Sequence, residues 1–321
     1  MSIESHPRIL SLGTINADFQ VRAEEPLTAG KTLRARDFLR LGGGKAANVA
    51  FLARRLGAPA TLIGRVGDDD LAAQALQPLR ESGTDISNVT TAAGMSTGVS
   101  MITVPPSGEK SIVLAGNAND SWNVEAEERL VREIEAAPEG SMLVMDFEIP
   151  AAIAETGFSV ARRRGLVCVL DPSFAGRIDL KRLPGLYAVT PNAKEAALLA
   201  GTGSNGIEGA RKAARVLAEQ GIKVVCIKLP RGGCLLHHKG QDMHIPSPPT
   251  KVVDTTGAGD AFTGALAVAL LEGRGPLDAA RFASAASACA VSGWGSQPAY
   301  PTRDEVENAA LCLSAYPKRT D

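Results

Sequence analysis

The stretch Asp254-Thr255-Thr256-Gly257-Ala258-Gly259-Asp260-Ala261-Phe262 lies between an apolar run, Lys251-Val252-Val253, and a segment of small residues at 261–271. We expect the apolar run to be a strand and the small-residue segment to be a helix. The first backbone N–H groups of a helix have no internal partner, and the helix dipole places partial positive charge there. Gly257 and Gly259 lack a Cβ atom, so a bulky anion can approach the backbone. The stretch therefore predicts an anion-binding turn at a helix start.

Asp260 needs an explanation of its own, because a carboxylate inside an anion site repels the ligand. It could be an ordinary helix N-cap, which is the commoner role for a single aspartate at a helix start. It could instead be a general base that takes a proton from a hydroxyl group while nearby amides hold a phosphoryl group. The rest of the chain has to decide between these roles.

The composition is that of an ordinary globular protein. Of the 321 residues, 45% are hydrophobic and 21% are charged, and the net charge is -1. This charge balance gives no reason to expect a nucleic-acid or membrane partner. No apolar run reaches the roughly 20 residues that span a bilayer, and the start, Met1 to His6, lacks the basic and apolar regions of a signal peptide.

The five cysteines form no C-x-x-C pair, and three of them lie in apolar strand or helix contexts where we expect buried, reduced thiols. A cytoplasmic location follows from this usage. The cysteines are Cys168, Cys226, Cys234, Cys289 and Cys312.

Predicted helices and strands alternate along most of the chain. The pattern predicts strands at 8–13, 61–67, 142–147, 166–170, 187–190 and 224–227, a hairpin at 235–245, and helices at 46–56, 68–79, 126–136, 151–164, 194–199, 207–220, 261–271, 277–291 and 303–316. Such alternation is typical of a doubly wound α/β fold, with a mainly parallel sheet and helices on both faces. We interpret the acidic triplet at 68–70 as helix capping and not as a metal site.

Four segments do not fit the main sheet. Residues 19–23 and 32–41 alternate apolar and polar side chains, as strands with one solvated face do. Residues 99–104 and 110–114, joined by Pro105-Pro106-Ser107-Gly108, predict a hairpin. We expect these four segments to form a small separate sheet.

Polar residues follow several predicted strands. In open parallel sheets, ligands bind beyond the carboxyl ends of the strands, so this set predicts one site. The residues are Asn16, Asp18, Glu148, Asp171, Asn192, Glu195, Asp254 and Asp260.

A second glycine-rich helix entry lies at Gly42-Gly43-Gly44-Lys45-Ala46-Ala47-Asn48. It has neither the G-x-x-x-x-G-K-[ST] spacing of a P-loop nor the G-x-G-x-x-G spacing of a dinucleotide site. Asn48 lies one turn inside the helix, where its amide could contact a polyhydroxy ligand or solvent.

Two of these stretches, 43–48 and 254–260, resemble the two signatures of the ribokinase-like (PfkB) carbohydrate kinases. The segments Leu12–Asp18, Ala115–Asn119, Thr190–Ala196 and Gly295–Pro298 are similar to further family segments, in the same order. The resemblance covers nearly the whole chain. It implies a main α/β domain (1–13, 43–95 and 121–321) and a small β-sheet lid (14–42 and 96–120). The exposed edge of such a lid sheet offers a place for strand pairing, so we expect a homodimer formed through the lid.

The resemblance also implies the site. The sugar would be held by Asn16, Asp18, Gly44, Lys45, Asn48, Glu148 and Asp260. ATP would be held by Asn192, Glu195, Gly233, Gly257 and Gly259, with Mg²⁺ bound to Glu195 through water. Lys228 is a further nucleotide-binding candidate, which the family pattern does not supply. A monovalent cation, usually K⁺ in this family, would be held by Asp254, Thr256, Ala290, Gly293 and Gly295.

The implied mechanism is phosphoryl transfer from ATP to a hydroxyl group of a pentose or related furanose. Asp260 accepts the hydroxyl proton, and the backbone amides of the turn Gly257, Ala258, Gly259 and Asp260 stabilise the transferring phosphoryl group. Closure of the lid excludes water.

The chain departs from the family pattern after residue 227, where Lys228-Leu229-Pro230-Arg231-Gly232-Gly233 replaces the usual threonine and glycine pattern. Pro230 removes an amide donor, and Lys228 or Arg231 could contact phosphate instead. The alternatives are therefore another PfkB-type kinase, acting on fructose or another ketose, on a 2-keto-3-deoxy sugar acid or on a nucleoside, or a non-catalytic sugar-binding regulator. An NAD-dependent oxidoreductase is disfavoured by the missing fingerprint.

Overall fold

The computed structural model describes residues 6–314. Its strands are β1 (Ile9–Leu12), β2 (Asn16–Ala23), β3 (Ala35–Gly43), β4 (Ala60–Gly67), β5 (Asp85–Ala92), β6 (Gly98–Val104), β7 (Ser111–Ala115), β8 (Met142–Asp146), β9 (Val167–Asp171), β10 (Ala188–Val189), β11 (Val224–Lys228), β12 (Cys234–His238) and β13 (Gln241–Ile245). Its helices are α1 (Lys45–Arg55), α2 (Asp70–Glu81), α3 (Val124–Glu135), α4 (Ala151–Arg163), α5 (Ala193–Ala200), α6 (Gly206–Glu219), α7 (Ala258–Leu271), α8 (Pro276–Ala290) and α9 (Arg303–Ser314).

The larger sheet has nine strands in the order β13-β12-β11-β10-β9-β8-β1-β4-β5. Strands β11 to β5 in this order pair in parallel, and only β12 and β13 pair antiparallel. One buried cluster packs α1, α7 and α8 on one face, and a second packs α3, α4 and α6 on the other. The predicted doubly wound α/β fold is confirmed.

The smaller sheet has four strands in the order β3-β2-β6-β7. The chain leaves the large sheet after β1 to form β2 and β3, and it leaves again after β5 to form β6 and β7. This path explains why four segments with alternating polarity interrupt the βα pattern. We refer to these four strands as the small sheet.

Three local expectations are wrong. Strand β5 was not predicted, because its sequence places apolar residues at 86, 89 and 92 without a period of two. Residues 251–253 do not form a strand, since the N–H groups of Val253 and Asp254 donate to the carbonyl of Val291 at the end of α8 instead. Helix α7 begins at Ala258 and not at Ala261.

The capping role expected for the acidic triplet also changes. Asp69 is the N-cap residue of α2, but its side chain makes no capping hydrogen bond. Its carboxylate accepts from the backbone N and the hydroxyl of Thr97 instead, at 3.0 and 2.6 Å. These hydrogen bonds lower the pKa of Asp69 against the opposing effect of burial. Asp69 thus ties α2 to the segment that enters β6.

Within residues 6–314, no helix is both long and apolar enough to cross a membrane. Cys168, Cys226 and Cys234 are buried free thiols, as expected. The last two residues of the predicted C-terminal helix, 315 and 316, and the first five residues of the chain lie outside the described part.

Candidate active site

A cavity of about 1040 Å³ lies between the small sheet and the carboxyl ends of the parallel strands. Every residue predicted to hold sugar or nucleotide lines it: Asn16, Asp18, Gly44, Lys45, Asn48, Glu148, Asn192, Glu195, Lys228, Gly233, Gly257, Gly259 and Asp260. Ala258 and Thr256 line it as well. The other residues of the predicted cation set, Asp254, Ala290, Gly293 and Gly295, are not among the lining residues.

The predicted anion-binding turn, residues 254–260, is called the anion turn below. It passes into α7 at Gly257, which is the N-cap residue of that helix and has φ 73°. A Cβ atom on Gly257 would lie 2.6 Å from the Tyr300 hydroxyl and 2.7 Å from Ser296 Cβ, so the position needs glycine. The Tyr300 hydroxyl donates to the Gly257 carbonyl at 3.1 Å. Because Gly257 is the N-cap, the N-cap interpretation of Asp260 is wrong.

Asp260 lies in the first turn of α7 and points at the first turn of α1. Asn48 Nδ2 donates to Asp260 Oδ2 at 2.7 Å, and Lys45 Nζ lies 3.2 Å from Asp260 Oδ1. Gln297 Nε2 donates to Asn48 Oδ1 at 3.1 Å and thereby orients the Asn48 amide. Each carboxylate oxygen of Asp260 thus has a fixed donor.

Asp171, the last residue of β9, collects three donors. Lys228 Nζ lies 3.0 Å from its Oδ2, Lys45 Nζ lies 3.4 Å from its Oδ1, and the Thr263 hydroxyl donates to Oδ2 at 3.0 Å. Burial alone would raise the pKa of Asp171, but Lys228 and Lys45 lower it overall. The sequence placed Asp171 at a strand end and gave no signal for these partners.

Lys45 is the positive charge that the acids of the cavity share. Burial by itself lowers the pKa of Lys45, but Asp171 and Asp260, followed by Glu148 and Glu195, raise it well above its usual value. Lys45 is therefore charged, and we expect it to stay charged across the physiological range.

Three further carboxylates have no lysine paired with them in the described part of the chain: Asp18 and Asp146 are buried, and Glu148 is half-buried. Burial raises the pKa of Asp18 to about 7, of Asp146 to about 6 and of Glu148 to about 8. Asp18 Oδ1 has no hydrogen-bond partner among the described residues, which fits a group that awaits a ligand. Asp18 packs so closely on β3 that a Cβ atom on Gly43 would lie 2.0 Å from its Oδ2.

Asn16 lines the cavity with its polar atoms already engaged. Its Nδ2 donates to the Ser100 hydroxyl at 3.1 Å, and its Oδ1 accepts from Asn119 Nδ2 at 2.8 Å. These contacts join β2, β6 and the 117–120 turn, so Asn16 supports the wall of the cavity.

Asn192 and Glu195 form a capping box at the start of α5. Asn192 Oδ1 accepts from the backbone N of Glu195 at 3.0 Å, and Glu195 Oε2 accepts from the backbone N of Asn192 at 2.7 Å. Burial is the largest cause that raises the pKa of Glu195, followed by Asp171. The pair is thereby fixed at the rim of the cavity.

Lys110 is a cavity residue that the sequence did not indicate, since a single lysine in a hairpin carries no pattern. It enters from the small sheet, and its Nζ donates to the carbonyl of Thr255 at 2.7 Å. Burial lowers the pKa of Lys110, and Asp260 only partly offsets this effect.

The Asp254 carboxylate organises the predicted cation segments. It accepts from the backbone N and hydroxyl of Thr256 at 2.8 and 2.6 Å, from the backbone N of Gly295 at 3.0 Å and from Gln20 Nε2 at 2.6 Å. It therefore binds the two loops whose carbonyls the cation would need, and Gln20, which the sequence did not suggest, adds a contact from the small sheet.

The raised pKa of Asp18 predicts a pH dependence of stability. The folded protein holds this proton up to about pH 7, against an ordinary value of 3.8. Its contribution to the free energy of unfolding is therefore fully present at low pH and lost between these values as pH rises. In urea titrations without ligand, we expect Asp18→Asn to gain stability relative to wild type by several kcal/mol between pH 4 and about pH 7.

The matched control is Asp304→Asn, which changes an exposed acid on α9 and should stay parallel to wild type at every pH. Asp146 and Glu148 leave part of the slope in place in Asp18→Asn. A constant difference between Asp18→Asn and wild type across the range would contradict the prediction.

Comparison with known proteins gives a consistent match along the chain. Residues 6–303 match the description "pfkB family carbohydrate kinase". The ribokinase of Haemophilus influenzae is 35% identical over 295 residues, which cover 92% of this chain and 95% of that protein.

Solved structures agree in fold. The Arabidopsis thaliana ribokinase complexed with ribose and ATP is 28% identical and superposes with a TM-score of 0.81 over 95% of this chain and 99% of that one. A ribokinase from Thermotoga maritima is 30% identical, with a TM-score of 0.80 over 95% and 99% of the two chains. From the match to the family over nearly its whole length, the chain belongs to the pfkB family of carbohydrate kinases.

Proposed function

We propose that this carbohydrate kinase phosphorylates a hydroxyl group of ribose or a related furanose, with ATP as phosphoryl donor and Asp260 as general base. The observation that carries the proposal is the placement of the Asp260 carboxylate. It lies at the anion turn, in the same cavity as Asp18, Asn48 and Glu148. The similarity to ribokinases, one of them described with ribose and ATP, supports the choice of substrates.

Each group has a chemical task in this proposal. Asp18, Asn48 and Glu148 offer acceptors and a donor to the hydroxyl groups of the sugar, and Lys45 balances the buried negative charge. Asp260 accepts the proton of the attacking hydroxyl. The backbone amides at the start of α7 stabilise the transferring phosphoryl group, and the Ala258 amide would exchange its contact with the Thr255 carbonyl for the phosphoryl oxygen.

The donor side differs from the usual family pattern. Lys228 lines the cavity beside the anion turn, because a Cβ atom on Gly259 would lie 3.2 Å from its Nζ. Its ammonium group can replace donors that the loop lacks at Pro230. Glu195, a carboxylate on the same side of the cavity, fits a magnesium ion bound through water, which would neutralise phosphate charge.

A monovalent cation, which we take to be K⁺, fits the segments that Asp254 joins. These segments offer backbone carbonyls and one carboxylate, the hard oxygen donors that such an ion needs. The ion would stabilise the anion turn from behind.

The small sheet would act as a lid over the sugar. Its inner face brings Asp18, Ser100 and Leu114, which pair across three strands, to the cavity. Its hairpin already contacts the anion segment, since the Thr255 hydroxyl donates to the Gly108 carbonyl at 2.8 Å. A closed lid would exclude water and so limit hydrolysis of ATP.

We further propose a homodimer formed through the outer face of the small sheet. Phe19, Met101 and Val113 lie side by side across β2, β6 and β7, and Phe38 stacks on Phe19 at 6.0 Å between ring centroids. Met101, Val113 and Phe38 are 55%, 66% and 61% exposed. A contiguous apolar face of this kind is typical of a protein interface.

The first test concerns the base. We expect Asp260→Asn to lower kcat by about 10² to 10⁴, because it removes the proton acceptor, while calorimetry still detects sugar binding. ADP release would be measured with ATP and Mg²⁺ against ribose, other pentoses, ketohexoses, deoxy sugar acids and nucleosides.

The matched control for Asp260→Asn is Asp278→Asn, which changes the exposed first-turn acid of the neighbouring helix α8 and should keep full activity. Near-normal turnover by Asp260→Asn would exclude it as the base. Turnover of a sugar from another group with none for any pentose would reassign the substrate.

The second test concerns the cation. At constant ionic strength, we expect activity in potassium chloride to exceed activity in sodium or choline chloride several-fold, because the anion turn would be ordered by the bound ion. Equal rates in the three salts would contradict a role for a monovalent cation in activity.

The third test concerns the dimer. Light scattering after size exclusion should give the mass of two chains for wild type and of one chain for Val113→Glu, since a buried unpaired charge disfavours the interface. Val124→Glu, at a 73% exposed position on α3, is the control and should remain dimeric. A wild-type monomer, or a dimeric Val113→Glu, would be evidence against this interface.

A further inference from the structure

Asp171 is a buried carboxylate that two lysines share, one on each side of the anion turn. Its side chain is 5% exposed, while those of Lys45 and Lys228 are 22% and 15% exposed. The three side chains come from the end of β9, the start of α1 and the end of β11. Because these side chains are largely buried, the position of each charge is set by its few partners.

Lys45 lies between two carboxylates at nearly equal distances. Its Nζ is 3.2 Å from Asp260 Oδ1 and 3.4 Å from Asp171 Oδ1. An ammonium group that pairs with a base stabilises the ionised base and so opposes uptake of a proton. Because Asp171 competes for the same ammonium group, Lys45 is not committed to Asp260 alone.

Lys228 is held beside the anion turn by the other oxygen of Asp171. Its Nζ is 3.0 Å from Asp171 Oδ2 and 3.2 Å from the point that a Cβ atom on Gly259 would occupy. Thr263 completes the arrangement, since its hydroxyl contacts Asp171 Oδ2 at 3.0 Å and the Gly259 carbonyl at 3.1 Å. Asp171 thus fixes where this ammonium group meets a bound anion.

We propose that Asp171 is a positioning residue for phosphoryl transfer. It draws Lys45 away from full pairing with Asp260, which keeps Asp260 able to accept a proton, and it holds Lys228 against the anion turn. The inference rests on the proposed function, in which Asp260 is the base and the turn holds the phosphoryl group. Asp171 itself need not touch the sugar or ATP for this role.

Several other charged groups lie around Asp171 and Asp260 and contribute to the pH dependence of activity. They are Asp18 on β2, Lys45 on α1, Lys110 beside β7, Asp146 and Glu148 at the end of β8, Glu195 on α5 and Lys228 on β11. All of them remain unchanged in the variants used below except where one is named.

The test uses Asp171→Asn, which keeps the shape of the side chain and removes its charge. Lys45 then pairs with Asp260 alone, so the acidic limb of the pH profile of kcat should move down by about one pH unit. The weaker base should also lower the plateau of kcat about tenfold. Without the ion pair to Asp171, Lys228 is no longer held beside the anion turn. The variant should therefore bind ADP more weakly, and calorimetry without sugar should give a dissociation constant raised about tenfold.

Two further variants distinguish a positioning role of Asp171 from a purely structural role. Thr263→Val removes the neutral donor to Asp171 but changes no charge, so the acidic limb should stay where it is in wild type. Lys228→Met should weaken ADP binding to the same extent as Asp171→Asn without moving the limb. In the double variant Asp171→Asn/Lys228→Met, the effects of the two single substitutions on ADP affinity should not add.

An acidic limb that stays in place in Asp171→Asn would overturn the proposal for Lys45, and an unchanged ADP affinity would overturn it for Lys228. The same limb movement in Thr263→Val would reduce Asp171 to a structural residue. If Asp171→Asn changed only the Mg²⁺ concentration needed for activity, Asp171 would act through the metal ion, and the proposal would also be overturned.

Failure of the proposed function is distinguishable from these outcomes. If wild type turned over none of the sugars, the proposed function would fail, and the part of the proposal that concerns Asp260 would fail with it. The ADP affinities would still decide the part that concerns Lys228.

Discussion

The contact between the first turns of α1 and α7 is the interaction on which the site depends. Each helix begins after a glycine, and the Asp260 carboxylate of α7 accepts from Asn48 and pairs with Lys45 of α1. The two helices also lie close together one turn further on, where a Cβ atom on Gly264 of α7 would be in van der Waals contact with the Val49 Cα of α1 at 3.5 Å. Two glycine-rich stretches that are far apart in the chain thereby form one cavity.

This meeting of helix starts creates an electrostatic problem that the lysines resolve. Helix starts attract anions, yet Asp18, Glu148 and Asp260 line the cavity and Asp171 lies beneath it, paired with Lys45 and Lys228. Burial raises the pKa of Asp18 and Glu148, whereas the lysines lower that of Asp171. Asp171, next to two lysines, is thus kept charged, whereas Asp18 and Glu148 have pKa values near neutrality. A polyhydroxy ligand can hydrogen-bond to such groups in place of water.

The sequence predicted the parts of the site that depend on local chain chemistry. Glycine-rich helix starts, the βα alternation and Asp260 beside an anion turn all follow from neighbouring residues. It could not supply the partners of Asp171 or the Lys110 contact with Thr255, because these join positions up to 145 residues apart. The run at 251–253 was read as a strand for the same reason. Its apolar pattern was clear, but the carbonyl that takes its N–H groups belongs to the distant end of α8.

Contacts from the small sheet converge on the segment that carries the anion turn. In the loop after α8, the Arg22 guanidinium lies 3.5 Å from the centroid of the Trp294 ring. In the segment before α7, Lys110 and Gly108 contact Thr255, and Gln20 contacts Asp254. The same segment leads directly into Gly257, whose backbone sets where α7 begins. A displacement of the small sheet therefore pulls on the turn that would hold the phosphoryl group. If the small sheet closes over the sugar, as proposed above, the same movement would also order the anion turn, and binding energy from the sugar would then help to align the phosphoryl donor.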